Sequence, residues 1–313
     1  MTDTCYLVHG VFWDAGPTGS AVHDVGRPAM RLQDPDGGFI ELPLDAGTRL
    51  GFRLAAAGKH CLGHHLVHGP ADRDHVLCPD RAPAVKGSQC ERCFVVDDSR
   101  LIHDFHRGGR VPPGLRAYLM QPHWLYIATF ANGASKVGTA ANLRKWQRLA
   151  EQGAVTARYV ARADDGRVVR NLEDLVTRDA GIPQQIRSAA KAAALAGPAP
   201  AAELDARNSR LAAEVRGLLA GAGGGGFGVV DEHWQRPGLS DAICAPAARH
   251  AYPHELGTGA HGFRVDSLSG SVALARLDGA DLEFIVNLGQ LKARTMVLGD
   301  HGSGVPAVQE TLF

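Results

Sequence analysis

Short apolar runs separated by glycine, proline and aspartate characterise the first 58 residues. Runs at residues 5–8, 39–42 and 50–54 alternate with turn-forming stretches such as residues 34–38. Apolar runs of this length, bounded by turn formers, are typical of β-strands. Residues 1–58 are therefore predicted to form a β-rich N-terminal part.

The next segment, residues 59–117, has few regularly spaced apolar positions. It is polar and rich in histidine, cysteine, proline and glycine. Such a segment buries too little apolar surface to fold unaided, and a bound metal supplies the missing stabilisation. We predict a zinc-binding segment here.

The pattern changes again at residues 118–220. A continuous apolar stretch at residues 124–130, the turn at 132–133 and a second short strand through Val137 predict a hairpin. Asn142 is then a candidate N-cap for a helix that has apolar residues at every third position and ends at Gly153. A strand at 155–163 and a helix at 172–178 complete an α/β unit of order β-β-α-β-α, and residues 204–219 form a trailing helix.

Strand-like patterns return near the end of the chain. Residues 221–228 contain six glycines and form either a hinge or a set of turns, and residues 271–276 and 282–286 read as strands. We predict a second β-rich part over residues 221–313, with pairing to the N-terminal part as one arrangement. The fold class is therefore α+β.

Composition narrows the function classes. Lys plus Arg and Asp plus Glu are equal at 33 each, so the whole chain lacks the basic excess that drives general adhesion to nucleic acid. No apolar run approaches the roughly 18 residues that span a bilayer, and no leader is evident at the N-terminus. We expect a cytoplasmic protein that does not associate with membranes.

Cysteine usage points to a metal. Four of the six cysteines lie within residues 61–93, namely Cys61, Cys78, Cys90 and Cys93. The close pair Cys90-x2-Cys93 places two thiolates on one turn, and two distant ligands can complete a tetrahedral zinc shell. Four thiolates leave no coordination position for water, so the predicted zinc is structural. Two alternatives stay open: a nearby histidine replaces Cys61 or Cys78, or the thiols are unrelated.

A local excess of positive charge lies in the α/β unit. Eight basic and three acidic residues occur from Lys136 to Arg170. This stretch is either a nucleic-acid groove, with Arg144, Lys145 and Arg158 as candidate contacts, or a set of solvated helix faces.

Several of these positions carry a family resemblance. Trp124-Leu125-Tyr126, followed by Lys136-Val137-Gly138, a helix with Arg148 and a later helix with Glu173, resembles the core of GIY-YIG nucleases over residues 122–195. Together with the upstream cysteines, residues 136–139 and 148–154 resemble an uncharacterised bacterial group, domain-of-unknown-function family 2797, over residues 58–300.

The resemblance implies Mg²⁺-dependent hydrolysis of phosphodiesters. Tyr126 would organise or deprotonate the attacking water, Arg148 would neutralise charge on the phosphate, and Glu173 would hold Mg²⁺. Lys136 stands where the family has a second tyrosine and can hold a phosphate as a point charge. The competing interpretations are that Tyr126 is a core aromatic residue and that Glu173 is a helix N-terminal acid favoured by the helix dipole.

The sequence thus predicts a nucleic-acid-binding protein with a Mg²⁺-dependent phosphodiesterase site and a structural zinc. Two alternatives come from other classes. One is a zinc-containing binding module without catalysis, and the other is a hydrolase or transferase that acts on a small molecule in the same pocket.

Overall fold

The computed structural model describes residues 4–14, 26–103 and 105–304 of the chain. Helices and strands both contribute substantially, which confirms the α+β class. The strands are β1 (Cys5–Trp13), β2 (Pro28–Gln33), β3 (Phe39–Pro43), β4 (Arg49–Leu54), β5 (His64–Val67), β6 (Arg73–Val76), β7 (His123–Thr129), β8 (Ser135–Ala141), β9 (Thr156–Ala163), β10 (Phe227–His233), β11 (His250–Ala251), β12 (Ala260–Ser269), β13 (Val272–Arg276), β14 (Glu283–Asn287) and β15 (Thr295–Leu298). The helices are α1 (Glu91–Val96), α2 (Pro113–Leu119), α3 (Lys145–Gln152), α4 (Gly166–Ala180), α5 (Ser188–Ala194), α6 (Ala201–Gly221) and α7 (Asp241–Cys244).

Both β-rich parts contribute to one sheet, here called the large sheet. Within the described residues it has nine strands in the order β11-β14-β13-β12-β4-β15-β1-β2-β3. The N-terminal strand β4 lies between β12 and β15, and β1 pairs with β15, all antiparallel. The two predicted β-rich parts therefore pair directly with each other.

A second sheet, here called the central sheet, has the order β10-β9-β7-β8. The predicted hairpin β7–β8 places Tyr126 opposite Gly138, and β9 pairs with the other edge of β7. One face of this sheet shares a core with α3 and the large sheet. The other face packs against α4 and α6. The predicted order β-β-α-β-α and the trailing helix are confirmed.

Two predicted helix starts are wrong. The helix predicted from Asn142 begins at Lys145, because residues 142–144 form a 3₁₀ turn and the Asn142 side chain instead accepts a hydrogen bond of 2.8 Å from the Trp124 indole. The helix predicted at 172–178 begins at Gly166. Asp165 caps it by accepting 2.8 Å bonds from two backbone N–H groups of the first turn, a signal that the apolar pattern alone does not carry.

The segment between the two sheets is built from small elements. It contains the hairpin β5–β6, the short helices α1 and α2, and a small apolar cluster around Phe105 and Leu115. Two-stranded hairpins are only marginally stable by themselves. Among the described helices of the chain, none has the length and apolar character needed to cross a bilayer.

Candidate functional site

The four predicted metal ligands converge in space. The sulfur atoms of Cys61, Cys78, Cys90 and Cys93 all lie within 4.8 Å of one another, and we call this group the thiol cluster. Four sulfurs bound to one zinc ion at about 2.3 Å lie about 3.8 Å apart, so a small contraction completes a tetrahedral shell. The arrangement can hold a metal ion.

Local structure explains how the thiol cluster forms. Cys90 is the N-cap of α1 and Cys93 follows in its first turn, while Cys61 and Cys78 flank the β5–β6 hairpin. Burial raises the pKa of the Cys61 and Cys93 thiols, whereas a hydrogen bond from the Cys93 backbone N–H lowers that of Cys90. Buried thiols in close contact fit a soft divalent metal such as zinc, which stabilises their thiolate forms. Among the described residues this ligand group contains only cysteines, so no histidine is needed to complete it.

The predicted tyrosine is fully buried on the central sheet. Tyr126 lies on β7, and its hydroxyl accepts a hydrogen bond of 2.8 Å from the Gln152 side chain on α3. Burial raises the pKa of Tyr126, and the nearby Arg148 guanidinium opposes this shift. Tyr126 therefore belongs to the core shared with the large sheet, which agrees with its interpretation as a core aromatic residue, and its burial disfavours ionisation.

Gly138 makes room for the Tyr126 ring. A Cβ atom at residue 138 would lie 2.5 Å from the Tyr126 hydroxyl oxygen. We expect Gly138→Ala to lower the free energy of unfolding by about 1–3 kcal/mol, the usual range for overpacking in a well-packed core. Denaturant unfolding measures this change.

Gly217→Ala is the matched control for that prediction. Gly217 lies on α6 with open space around its Cβ position. Alanine there should stabilise the chain by about 0.5–1 kcal/mol, because glycine is a poor helix former. Equal unfolding free energies for the two variants would contradict the packing of Tyr126 on Gly138.

Lys136 is a buried cation next to this tyrosine. Its side chain is 9% exposed, and its Nζ lies 5.7 Å from the centre of the Tyr126 ring. Burial, followed by the positive charge of Arg148, lowers the pKa of Lys136 to about 8, although Glu173 opposes the shift. Within the described part of the chain its ammonium makes no ion pair. A buried lysine without a counter-ion destabilises the fold, which is typical of a functional position.

Glu173 completes the group from α4. It is 4% exposed, and its carboxylate forms a 2.6 Å ion pair with Arg170 one turn earlier. Glu173 lies in the middle of α4, so the interpretation of this residue as a helix N-terminal acid is wrong. Arg148 and Glu173 both influence the pKa values of Tyr126 and Lys136. The four residues are therefore neighbours.

Of these four residues, Arg148 lines a pocket of about 290 Å³. We call it the arginine pocket, because its lining includes Arg73, Arg144, Arg148 and Arg170. Of the described residues that line it, none carries a carboxylate. Guanidinium groups arranged around a concave surface provide forked donors for phosphate oxygens.

Two other predicted contact residues lie outside the arginine pocket. The Lys145 ammonium contacts both carboxylate oxygens of Glu232 at 2.5 and 2.6 Å, and it lies 3.4 Å from the centre of the Trp124 ring. Arg158 bonds Asp205 and Asn208, both at 3.0 Å. Internal partners hold both cations in place.

Sequence reasoning missed Arg73 and did not single out Arg170. Arg73 lies on β6 of the cysteine-rich segment, far from the α/β unit along the chain, so nothing local linked it to the site. Arg170 carried a usable signal, because a residue three positions before Glu173 on a helix faces the same side.

Comparison with known families agrees with part of the resemblance. Residues 86–222 match a family described as a protein of unknown function (DUF2797). The matched stretch contains Cys90, Cys93 and the four residues that the nuclease resemblance singled out, and it covers less than half of the chain. The chain matches no curated protein and no solved structure at a significant level.

Proposed function

We propose that this protein binds nucleic acid and hydrolyses its phosphodiester bonds with Mg²⁺ at a GIY-YIG-like site. The observation that supports this most strongly is the arginine pocket, which has four guanidinium groups and, among its described lining residues, no carboxylate. Arg148 lines this pocket, and the buried Tyr126 and Lys136 lie within electrostatic reach of Arg148 and Glu173. Phosphate groups are the natural ligands of such a surface.

The contacts suggest a role for each residue. Arg148 is solvent-exposed and contacts the phosphate, and the buried Lys136 adds positive charge beneath it. Tyr126 is buried, so it would act on the attacking water indirectly, by positioning the neighbouring Arg148. Glu173 is the carboxylate for the metal, and bound Mg²⁺ would polarise the phosphate and activate water.

The Arg170–Glu173 ion pair implies an order of events. The carboxylate is held by Arg170 in the free protein, at 2.6 Å. Arg170 also lines the arginine pocket, so a phosphate bound there competes for its guanidinium. Substrate binding would thereby release Glu173 for the metal, and Mg²⁺ affinity would be low until nucleic acid is present.

A second candidate function is supported by the same ion pair. If Arg170 keeps Glu173 when the phosphate binds, the protein is a zinc-containing binding module without catalysis. The replacement of the family's second tyrosine by Lys136 favours this alternative as well.

A cleavage assay tests the proposal. Single-stranded, duplex and branched DNA and RNA are incubated with Mg²⁺ or Mn²⁺ and wild-type protein, Glu173→Gln, Tyr126→Phe or the control Glu214→Gln. Glu214 is an exposed carboxylate on α6. Glu173→Gln should reduce cleavage by roughly 100-fold or more, by analogy with the loss of one charge-stabilising group at other active sites, and Glu214→Gln should leave it unchanged.

Other outcomes separate the alternatives. Salt-dependent binding without cleavage on any substrate would favour the binding module. Affinity that added salt does not change would contradict a nucleic-acid partner, because phosphate contacts release counterions. Absence of both binding and cleavage would favour the small-molecule hydrolase or transferase.

A further inference from the structure

A second pocket adjoins the arginine pocket. It has a volume of about 350 Å³ and shares Arg73, Tyr118 and Arg144 with the first. Its lining also includes Phe12 and Arg31 from the large sheet. Because three residues line both pockets, the two pockets are adjacent, and we call them together the groove.

Three parts of the chain form the groove. Phe12 and Arg31 come from β1 and β2 of the large sheet. Arg73 comes from β6 in the cysteine-rich segment (residues 59–117), Tyr118 comes from α2 at the end of that segment, and Arg144 directly precedes α3. The groove therefore extends well beyond the residues that resemble the nuclease core.

Positive charge continues along the groove. The lining residues of the two pockets include five arginines, against two described carboxylates, Asp72 and Glu151. Arg144 pairs with Glu151 and Arg31 with the half-exposed Glu41, each at 2.6 Å, so a bound phosphate would compete with these carboxylates. Arg73 makes no ion pair within the described residues, so its guanidinium is available where the two pockets meet. A basic groove can follow the backbone of a nucleic-acid strand from one phosphate to the next.

Aromatic side chains accompany the charges. Phe12 and Tyr118 are half-buried in the groove wall, and the Arg31 guanidinium lies 4.8 Å from the centre of the Phe12 ring. Unpaired bases stack on aromatic rings and on guanidinium planes, whereas the bases of a duplex are already stacked inside it. Recessed pockets of this size also suit splayed nucleotides better than the broad surface of a duplex.

We infer that the groove binds a single strand of DNA or RNA, from Phe12 and Arg31 at one end, past Arg73, to the arginine pocket at the other. This inference rests on the proposed function, and it specifies the form of the nucleic acid and a part of the binding surface outside the nuclease-like core. Arg73 joins the two halves of the path.

Binding measurements on the full-length, metal-loaded protein test the inference. Binding is measured by fluorescence anisotropy in buffer without Mg²⁺, which prevents cleavage. The ligands are labelled single strands of two to twelve nucleotides and a duplex of twelve base pairs. The variants are Arg73→Gln, Arg31→Gln, Phe12→Leu and Arg148→Gln, and Arg178→Gln is the control. Arg178 is 69% exposed on the last turn of α4, outside the groove.

Single strands should bind at least tenfold more tightly than the duplex. Arg73→Gln should weaken binding of the longer strands roughly five- to tenfold and reduce the slope of log affinity against log salt by about 0.7, the value for one phosphate contact with a single strand. Arg31→Gln and Phe12→Leu should weaken binding of the twelve-nucleotide strand but not of the dinucleotide, which is too short to reach both the arginine pocket and these two residues. Arg178→Gln should behave like the wild type.

Two results would overturn the inference in distinguishable ways. If Arg148→Gln weakens binding while Arg73→Gln, Arg31→Gln and Phe12→Leu do not, or if the duplex binds as tightly as the single strand, the groove assignment fails and the proposed function survives. If none of these nucleic acids binds, both fail. Thermal melting of each variant shows that it is folded.

Discussion

Replacing Cys78 by serine is expected to lower the metal content from about one zinc per chain to near zero and to unfold the cysteine-rich segment. Cys78 is buried, and its sulfur belongs to the thiol cluster. Structural zinc contributes about 10–16 kcal/mol in zinc-finger peptides, and the segment around the cluster has only a small apolar core of its own. Elemental analysis and hydrogen exchange of residues 59–117 measure the two effects.

Unfolding of this segment in Cys78→Ser should also disrupt the groove. Arg73 lies in this segment and Tyr118 directly follows it on α2, so the variant should lose binding of long single strands even though Arg148 is unchanged. Cys5→Ser is the control, since Cys5 lies on β1 outside the thiol cluster. Unchanged metal content and exchange protection in Cys78→Ser would contradict a structural metal at this position.

Replacing Lys136 by methionine is expected to stabilise the fold at pH 7 by about 1–3 kcal/mol and to abolish cleavage. The lysine is buried without an ion-pair partner in the described residues, and methionine fills a similar volume without the charge. The stabilisation and the loss of activity arise from the same charge. Denaturant unfolding and the cleavage assay measure them.

The pH dependence gives an independent check. The pKa of Lys136 is about 8 in the folded chain and 10.5 ordinarily, so between these values the unfolded state binds more protons. Wild-type stability should therefore rise with pH in this window, by up to roughly 3 kcal/mol, whereas the methionine variant lacks this contribution. The difference in free energy of unfolding between Lys136→Met and the wild type should be largest below pH 8 and should nearly vanish above pH 10.5.

Lys59→Met serves as the control, because Lys59 is solvent-exposed. This substitution should change the free energy of unfolding by no more than about 0.5 kcal/mol, both below pH 8 and above pH 10.5, as surface substitutions in general do. If Lys136→Met instead destabilises the chain at pH 7, the side chain is held by favourable contacts and the functional argument for its burial is lost.

Local sequence signals predicted much of this molecule. The hairpin around Asn132-Gly133 formed as the apolar stretch and turn indicated, and the helix that follows ends at Gly153 in a left-handed conformation. The cysteine pair at 90 and 93 indicated a metal site, and the two distant thiols reach it. These predictions depend on short-range geometry, which sequence spacing controls.

Features that depend on distant contacts were harder to predict. The start of α4 depends on the Asp165 cap. Lys145 and Arg158 are held by ion pairs with Glu232 and Asp205, which belong to elements much later in the chain. A count of basic residues could not show which cations face a pocket, as Arg144 and Arg170 do, and which lie outside it. Arg73 entered the site for the converse reason, because tertiary packing brings its hairpin to the α/β unit.

The interleaving of chain ends in the large sheet has a consequence for folding. Strand β1 pairs with β15, and β4 lies between β15 and β12, so the middle of this sheet stays open until the last strands are available. Contacts between such distant residues form slowly, because a very long loop must close first. During synthesis the central sheet can form before the large sheet closes, and the exposed edges of β1 and β4 would then be the surfaces that chaperones must protect.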